Sequence, residues 1–378
     1  MNADIDSRFP VHGSRRRTAV VHDWLNGMRG GEKVLEAILP LVPEPTIFTL
    51  FHVPGSVSPE IERHPIRASW LNRLPLARTH YRHYLPLFPR AIEAFDLSGF
   101  DLVVSSSHCV AKGAIAPRGV PHVCYCHTPV RYAYEQFDLY FPPGRTRLRA
   151  LKAAAIARLR RWDIATADRP DRYLANSSAV AERIARHYGR DARVLHPPVD
   201  VEFFAPADPP DRREDFLLAV GALVPYKRFE DAIGAARQLG RRLVLVGDGP
   251  ERARLEALAG GAAVEIRSGL PREELRRLYR TCGVYVQPGE EDFGIAAVEA
   301  LASGAPVVAL GRGGARDIVR PGENGVLTDR EGAAGLADAV READRSRFDY
   351  TFLRTTALPF RGERFAAALA GVLGEYVR

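Results

Sequence analysis

The chain is poor in cysteine and has no long apolar run. Its four cysteines, Cys109, Cys124, Cys126 and Cys282, include no C-x-x-C pair, which excludes a disulfide framework and a zinc ribbon and fits a reducing compartment, the cytoplasm. No stretch approaches the roughly 20 apolar residues that a membrane span requires, and the opening MNADIDSRFPVHGSRRR lacks the apolar core of a secretory signal. The expectation is a protein neither exported nor integral to a membrane. There is no G-x-G-x-x-G, no low-complexity tract and no internal repeat. The one D-x-D, Asp4-Ile5-Asp6, falls in the opening segment.

What is present is length, apolar content and positive charge. A chain of 378 residues with 46% hydrophobic content exceeds what one core usually serves, so two domains are expected. The 53 Lys and Arg against 46 Asp and Glu leave a net charge of +7, which suggests anionic partners: nucleic acid, a phosphorylated substrate or an acidic membrane face.

From Thr18 onward, short β-branched or apolar runs alternate with helical stretches, the pattern of βα units that build a parallel sheet. It occurs twice. The first set holds TAVVH, TIFTLF, DLVVSSS, HVCYCH and DRYLANS, and the second DFLLAVG, RRLVLVGDG, AVEIRSG, VYVQPG and APVVAL. Between them HPPVDVEFFAPADPPDRRED, His196 to Asp215, can continue neither a helix nor a central strand. The fold class is therefore α/β, with two doubly wound domains facing across a cleft and ligands held outside the carboxyl ends of the strands. The expected division is a loose basic arm over 1–17, a first domain over 18–197, a second over 198–358 and a final helix over 359–378.

Two segments break the alternation. Ile66 to Phe95 mixes aromatics, Arg and His with prolines, and Arg145 to Ala167 reads as a strongly basic amphipathic helix. Packed aromatics beneath a solvated helix face explain them as well as a surface for anionic lipid does.

In GEEDFGIAAVEALASGAP, Gly289 to Pro306, Glu291 lies in a loop and Glu299 in the second turn of the helix that Gly294 opens. A helix N-terminus presents free N–H groups, a ready anion site. The flanking carboxylates are poor phosphate ligands but good acceptors for sugar hydroxyls. Acidic residues at a helix start also simply complement its dipole. Phosphate and polyol together describe a nucleotide sugar.

The run from Gln287 to Pro306, with its two glutamates separated by seven residues and a small-residue turn before Pro-Val-Val, resembles the donor site of retaining glycosyltransferases of family 4. The likeness extends over nearly all of the chain, through VGALVPYKRFEDAI, LVLVGDGPERARLEALA, LPREELRRLYRTCGVYVQP, GARDIVRPGENGVL and ANSSAVAERIARHYG. HDWLNGMRGGEKVLEAI and CHTPVRYAYEQF are similar to bacterial members that build O-antigen and exopolysaccharide. The resemblance implies the GT-B architecture, with the acceptor in the first domain, the nucleotide sugar in the second and the last helix crossing back to the first. It implies that Glu299 holds the ribose hydroxyls, Glu291 the transferred sugar and Lys227 the diphosphate. Phe293, Gly294 and Ile295 line the donor, and the segment Arg267 to Leu270 seats the base. Gly30 and Gly31 approach the phosphate from across the cleft, and His127 contacts the sugar.

Where relatives carry an arginine this chain has Ala222, and Arg228 is the expected substitute, with Arg131 or the Gly30-Gly31 loop next in line. The implied reaction moves a hexose, best mannose from GDP-mannose with a UDP-hexose as alternative, onto a polyprenyl-linked oligosaccharide at the cytoplasmic face of the inner membrane. No cofactor, metal or nucleic-acid partner is expected. His108, Cys109, Cys124 and Cys126 do not read as a zinc site, because the last two alternate along one buried strand. Two rivals are a non-catalytic sugar-nucleotide sensor, which loss of either glutamate or Lys227 would mark, and a nucleic-acid binder using the basic helix.

Overall fold

A computed structural model describes residues 16–134, 137, 146–207, 211–261 and 263–376. The arm expected over 1–17, with its D-x-D, lies outside these residues except for Arg16 and Arg17, as does Arg145.

Two parallel sheets account for the strands. The first holds β1 (Thr18–Leu25), β2 (Pro45–His52), β3 (Ile66–Ala68), β4 (Leu102–Ser107), β5 (His122–Cys126), β6 (Arg172–Ala175) and β7 (Ala192–Val194), in the order β3-β2-β1-β4-β5-β6-β7. The second holds β8 (Phe216–Val220), β9 (Arg242–Val246), β10 (Val264–Arg267), β11 (Val284–Gln287), β12 (Val307–Leu310) and β13 (Gly325–Thr328), in the order β10-β9-β8-β11-β12-β13. Both orders reverse direction beside their first strand, the switch point at which open α/β sheets bind ligands. The central strands are buried on both faces, which is why they read as unbroken apolar runs.

The sequence patterns miss β3, β7 and β13, all at sheet edges. Residues Arg67, Ala68, Arg193 and Val194 are exposed, so β3 and β7, of three residues each, leave no apolar run to find, and β13 has only four residues. The segment Ile66 to Phe95 is indeed too broken for one helix: β3 is followed by short helical turns over Trp70–Arg73, Ala77–His80, Tyr81–Leu87 and Phe88–Glu93.

The helix Gly362–Gly374 returns to the first sheet. Its Phe365, Leu369, Val372 and Leu373 are buried with Val20, Leu35, Ile38 and Tyr125, whereas Leu353 and Ala357 of the preceding helix pack into the second domain. This is the expected crossover.

The basic stretch forms the helix Thr146–Ala165, but its apolar residues are not gathered on one face. Ile156 and Leu159 enter the first core, while Leu151 and Ile164 point outward beside Lys152, Arg158 and Arg161. A buried polar cluster fastens it: Lys112 Nζ lies 3.1 Å from Asp163 Oδ1 and donates to Thr166 Oγ1 at 3.0 Å. The hydroxyls of Tyr134 and Tyr188 donate to Asp163 Oδ2 at 2.7 and 2.9 Å.

Candidate active site

The loops at the carboxyl ends of β1, β4 and β5 face those of β8 and β11. On the second domain, the turn after β8 folds Lys227 back over Gly221, where an added Cβ would lie 2.5 Å from Lys227 Nζ and φ is +153°. Gly289, after β11, lets its loop pack backbone against backbone on the same turn, since a Cβ there would sit 2.2 Å from Tyr226 O. These glycines bring Lys227 Nζ to 2.7 Å from Glu291 Oε1, both largely buried. The cation and the carboxylate that the family resemblance assigns to diphosphate and sugar thus stand in direct contact.

Gly294, with φ of +109°, opens the helix Ile295–Ala302. Beneath it lies Gln287, 2% exposed, whose Oε1 and Nε2 are both buried without a hydrogen-bond partner. Glu299, one to two turns on, accepts from Tyr279 Oη at 2.9 Å. Lys33 Nζ of the first domain reaches Glu299 at 3.5 Å. Burial raises the Glu299 carboxyl above its usual range, with Lys33 and Tyr279 pulling the other way.

The first domain contributes the helix Gly30–Ile38. A Cβ on Gly30 would come within 3.1 Å of Ile295 Cδ1, and one on Gly31 within 3.8 Å of His127 Nε2 and 3.7 Å of His22 Cε1. The Gly30-Gly31 start of this helix, His127 and the start of the second-domain helix therefore meet. His127 hydrogen-bonds Ser106 Oγ at 2.8 Å. Burial, with His108 and His22 nearby, holds its imidazole well below the ordinary pKa. Asp23, wholly buried, accepts the backbone N–H groups of His108, Cys109, Val110 and Ala111 at 2.7–2.9 Å and shapes the loop after β4.

The acidic loop itself is clamped between domains. Glu290 pairs with Arg183, Glu291 with Lys227, and Asp292 with both Arg131 and Arg183. Ser177 Oγ donates to the carbonyl of Asp292, and Asp317 accepts from Ser178 and lies 3.1 Å from His196 Nε2. Arg131 also lies over the ring of Tyr226, 4.6 Å from its centroid.

Four expected residues are engaged elsewhere. Arg228 does not join Lys227: its guanidinium is held by Asp231 at 2.7 Å and by Glu331, at the start of the helix Phe229–Leu239. Arg228 is thus turned to Asp231 and Glu331 at the start of that helix rather than to Lys227. Phe293 is 3% exposed and packs its ring on His196 and Phe360, which leaves only its backbone to a ligand. Arg267 is tied to Glu265 and Glu274 on the edge strand β10, and Leu270 packs against the second core. Cys124 and Cys126 are buried among apolar residues of the first domain.

The sequence reading missed His22, Asp23, Lys33, Ser106, Tyr279 and Asp292. A signal existed for three of them: His22, Asp23 and Ser106 are polar residues inside strands otherwise filled with apolar ones, and a polar group is buried there only with a partner or a task.

Two Rossmann-like domains joined by a crossover helix, with a cation, two carboxylates and a helix start converging at their cleft, define the GT-B class. The match to known sequences gives the family. Residues 44–203 match the family described as Glycosyltransferase Family 4 and residues 200–347 that described as glycosyl transferases group 1. A D-inositol 3-phosphate glycosyltransferase of Frankia alni is 33% identical over 286 residues, covering 66% of this chain and 67% of that one. The chain belongs to glycosyltransferase family 4. It spans about half the length of the first curated relatives it matches; a GDP-mannose-dependent alpha-mannosyltransferase of Mycolicibacterium smegmatis, 34% identical over 202 residues, is covered to 52%, with 50% of this chain. Among solved structures, sucrose-phosphate synthase from Thermosynechococcus elongatus superposes with a TM-score of 0.71 at 21% identity, covering 96% of this chain and 99% of that one.

Proposed function

We propose that the protein transfers a hexose, mannose from GDP-mannose, to a hydroxyl of a lipid-linked oligosaccharide, with retention of anomeric configuration, in the synthesis of a bacterial surface polysaccharide. The observation that carries the reading is the convergence of Lys227, Glu291, the Gly294–Ile295 helix start and Glu299 opposite Gly30, Gly31 and His127. The mannosyl donor is supported by the similarity to the Mycolicibacterium mannosyltransferase.

The chemistry follows from the groups present. As the bond from sugar to diphosphate breaks, negative charge grows on the leaving oxygens. Lys227 and the N–H groups at the helix start are positioned to meet it, an electrostatic stabilisation aimed at the transition state and requiring no metal. An ammonium has three donors, so Lys227 can keep Glu291 while binding phosphate. Glu291 in turn orients the sugar hydroxyls, Glu299 the ribose. A helix start with an unpartnered Gln287 amide beneath it fits a polar ligand.

A panel of nucleotide sugars screened by thermal shift tests the reading. GDP-mannose is expected to raise the unfolding midpoint most, since a ligand at 100 times its Kd stabilises by roughly 2.7 kcal/mol. A larger shift with UDP-hexoses would replace the donor, and no shift with any of them would end the assignment.

The acceptor end implies attachment to an anionic membrane face. No helix among the described residues is long and apolar enough to cross a membrane. The first domain instead exposes Leu151 (69%), Leu76 (67%) and Trp70 (43%) among exposed Arg67, Lys152, Arg158 and Arg161, and the segments carrying them share one core. Exposed basic and apolar side chains on segments that share a core suit a headgroup region. The protein is expected to sediment with vesicles containing anionic lipid and to be released by salt, with Arg158→Glu and Arg161→Glu weakening the interaction. Equal binding to neutral vesicles would remove this account.

A further inference from the structure

We propose that Glu32, His22 and Ser106 form a relay that fixes the proton of His127 on Nε2 and so presents its Nδ1 lone pair to a hydroxyl of the bound sugar. The relay concerns proton positions within the first domain. Its use in transfer rests on the donor reading given above.

The chain of contacts runs inward from the helix Gly30–Ile38. Glu32 is buried and spends Oε2 on the backbone N–H of Arg29 at 3.0 Å. Its Oε1 lies 3.9 Å from Nε2 of His22, a fully buried ring whose Nε2 has no hydrogen-bond partner. The Glu32 carboxyl is held below its usual range: burial works against this, and the contact with His22 lowers it. The carboxylate therefore stays charged. A lone pair on His22 Nε2 facing it would be repelled, so in the neutral ring the proton belongs on Nε2 and the lone pair on Nδ1.

Ser106 Oγ stands 3.1 Å from that Nδ1 and 2.8 Å from Nε2 of His127. A hydroxyl has one proton and can accept twice. With His22 Nδ1 an acceptor, the Ser106 proton points at His22, and Ser106 can only accept from His127. His127 must then carry its proton on Nε2. Its imidazole is neutral, because burial and the neighbouring His108 and His22 disfavour the cation. The remaining groups packed on it are the edge of Tyr125, 5.1 Å between ring centroids, and the ring of His108 at 6.1 Å. Gly31 leaves the space beside it that a Cβ would fill.

The polarity has a chemical consequence. A lone pair at Nδ1 selects a ligand that brings a proton, which a sugar hydroxyl does. A sugar carboxylate in the same place would set lone pair against lone pair, and a deoxy position would offer Nδ1 no proton. The relay thus favours a neutral, hydroxylated hexose at this contact.

The test is long-range nitrogen NMR of the histidine rings of the full chain, without donor, at a pH of about 8, where an imidazole of ordinary pKa near 6.5 is neutral. His127 is assigned by the signals that vanish in His127→Gln. The expected result is a protonated Nε2 and an unprotonated Nδ1 in the wild type, a mixture of tautomers in Ser106→Ala, and recovery of the wild-type pattern in Ser106→Thr, which keeps the hydroxyl. A proton on Nδ1 in the wild type, or an unchanged His127 pattern in Ser106→Ala, would overturn the relay. Because no sugar nucleotide is present, failure of the donor reading leaves this result untouched and is judged by the thermal-shift panel.

Discussion

Lys227→Ala is expected to lower kcat/KM by about 100- to 1,000-fold, the loss that follows removal of one positioned donor from a developing anion. The expectation rests on where the ammonium lies. Lys227 is 9% exposed, is folded over Gly221 and is aimed at Glu291, so its charge acts at short range with little screening. The alanine variant also leaves Glu291 without its cation beside a diphosphate, which adds repulsion to the lost attraction. Arg228→Ala, one residue further on, is expected to stay within about threefold, because that guanidinium is committed to Asp231 and Glu331 and its removal touches mainly the start of a helix. Steady-state kinetics of the two variants side by side check the contrast. Comparable losses in both would mean that Arg228 serves the diphosphate after all.

Lys112→Met is expected to destabilise the protein by about 3–5 kcal/mol, because it strands a buried carboxylate. Lys112 is 1% exposed and Asp163 wholly buried; with the lysine gone, Asp163 keeps two tyrosine hydroxyls but no positive charge. For a domain of this size the loss corresponds to a fall in unfolding midpoint on the order of 10 °C. Adding Asp163→Asn to Lys112→Met is expected to recover part of it, since the uncompensated charge is removed while an acceptor for the tyrosines remains. Calorimetry of wild type, single and double variants measures this, and a single variant within 2 °C of wild type would show that the pair does not fasten the basic helix.

The parts of the fold that were legible in the sequence are those that bury both faces. The middle of strands such as TAVVH and RRLVLVG had to be apolar, and the proline-rich run before Asp215 could only be a connection. The edge strands β3 and β7 were not legible, because a strand of three residues, two of them exposed, carries no period, and the four residues of β13 were too short a run to stand out. At the site, the two glutamates could be named from their neighbours in sequence, a strand end, a loop and a helix start, whereas Lys227 was named through the resemblance to the family. Arg228 was misjudged for a related reason. Adjacency to Lys227 says nothing about side-chain direction, and its partners Asp231 and Glu331 come from a helix turn and a distant loop. The relay through Glu32, His22, Ser106 and His127 joins three strands and a helix, and only the β1–β4–β5 order brings those positions together. Lys33 beside Glu299 and Arg131 beside Asp292 depend on the two domains meeting, which composition and spacing do not encode.

The central claim is that the second domain holds a nucleotide sugar through Glu299 at its ribose end. Titration calorimetry of GDP-mannose against wild type and Glu299→Ala tests it most directly. Hydrogen bonds to a charged acceptor contribute about 1.5–3 kcal/mol each, so the variant is expected to bind the donor some tenfold to hundredfold more weakly while keeping the wild-type fold by circular dichroism. A dissociation constant within about twofold of wild type would contradict the assignment of this cleft to the donor.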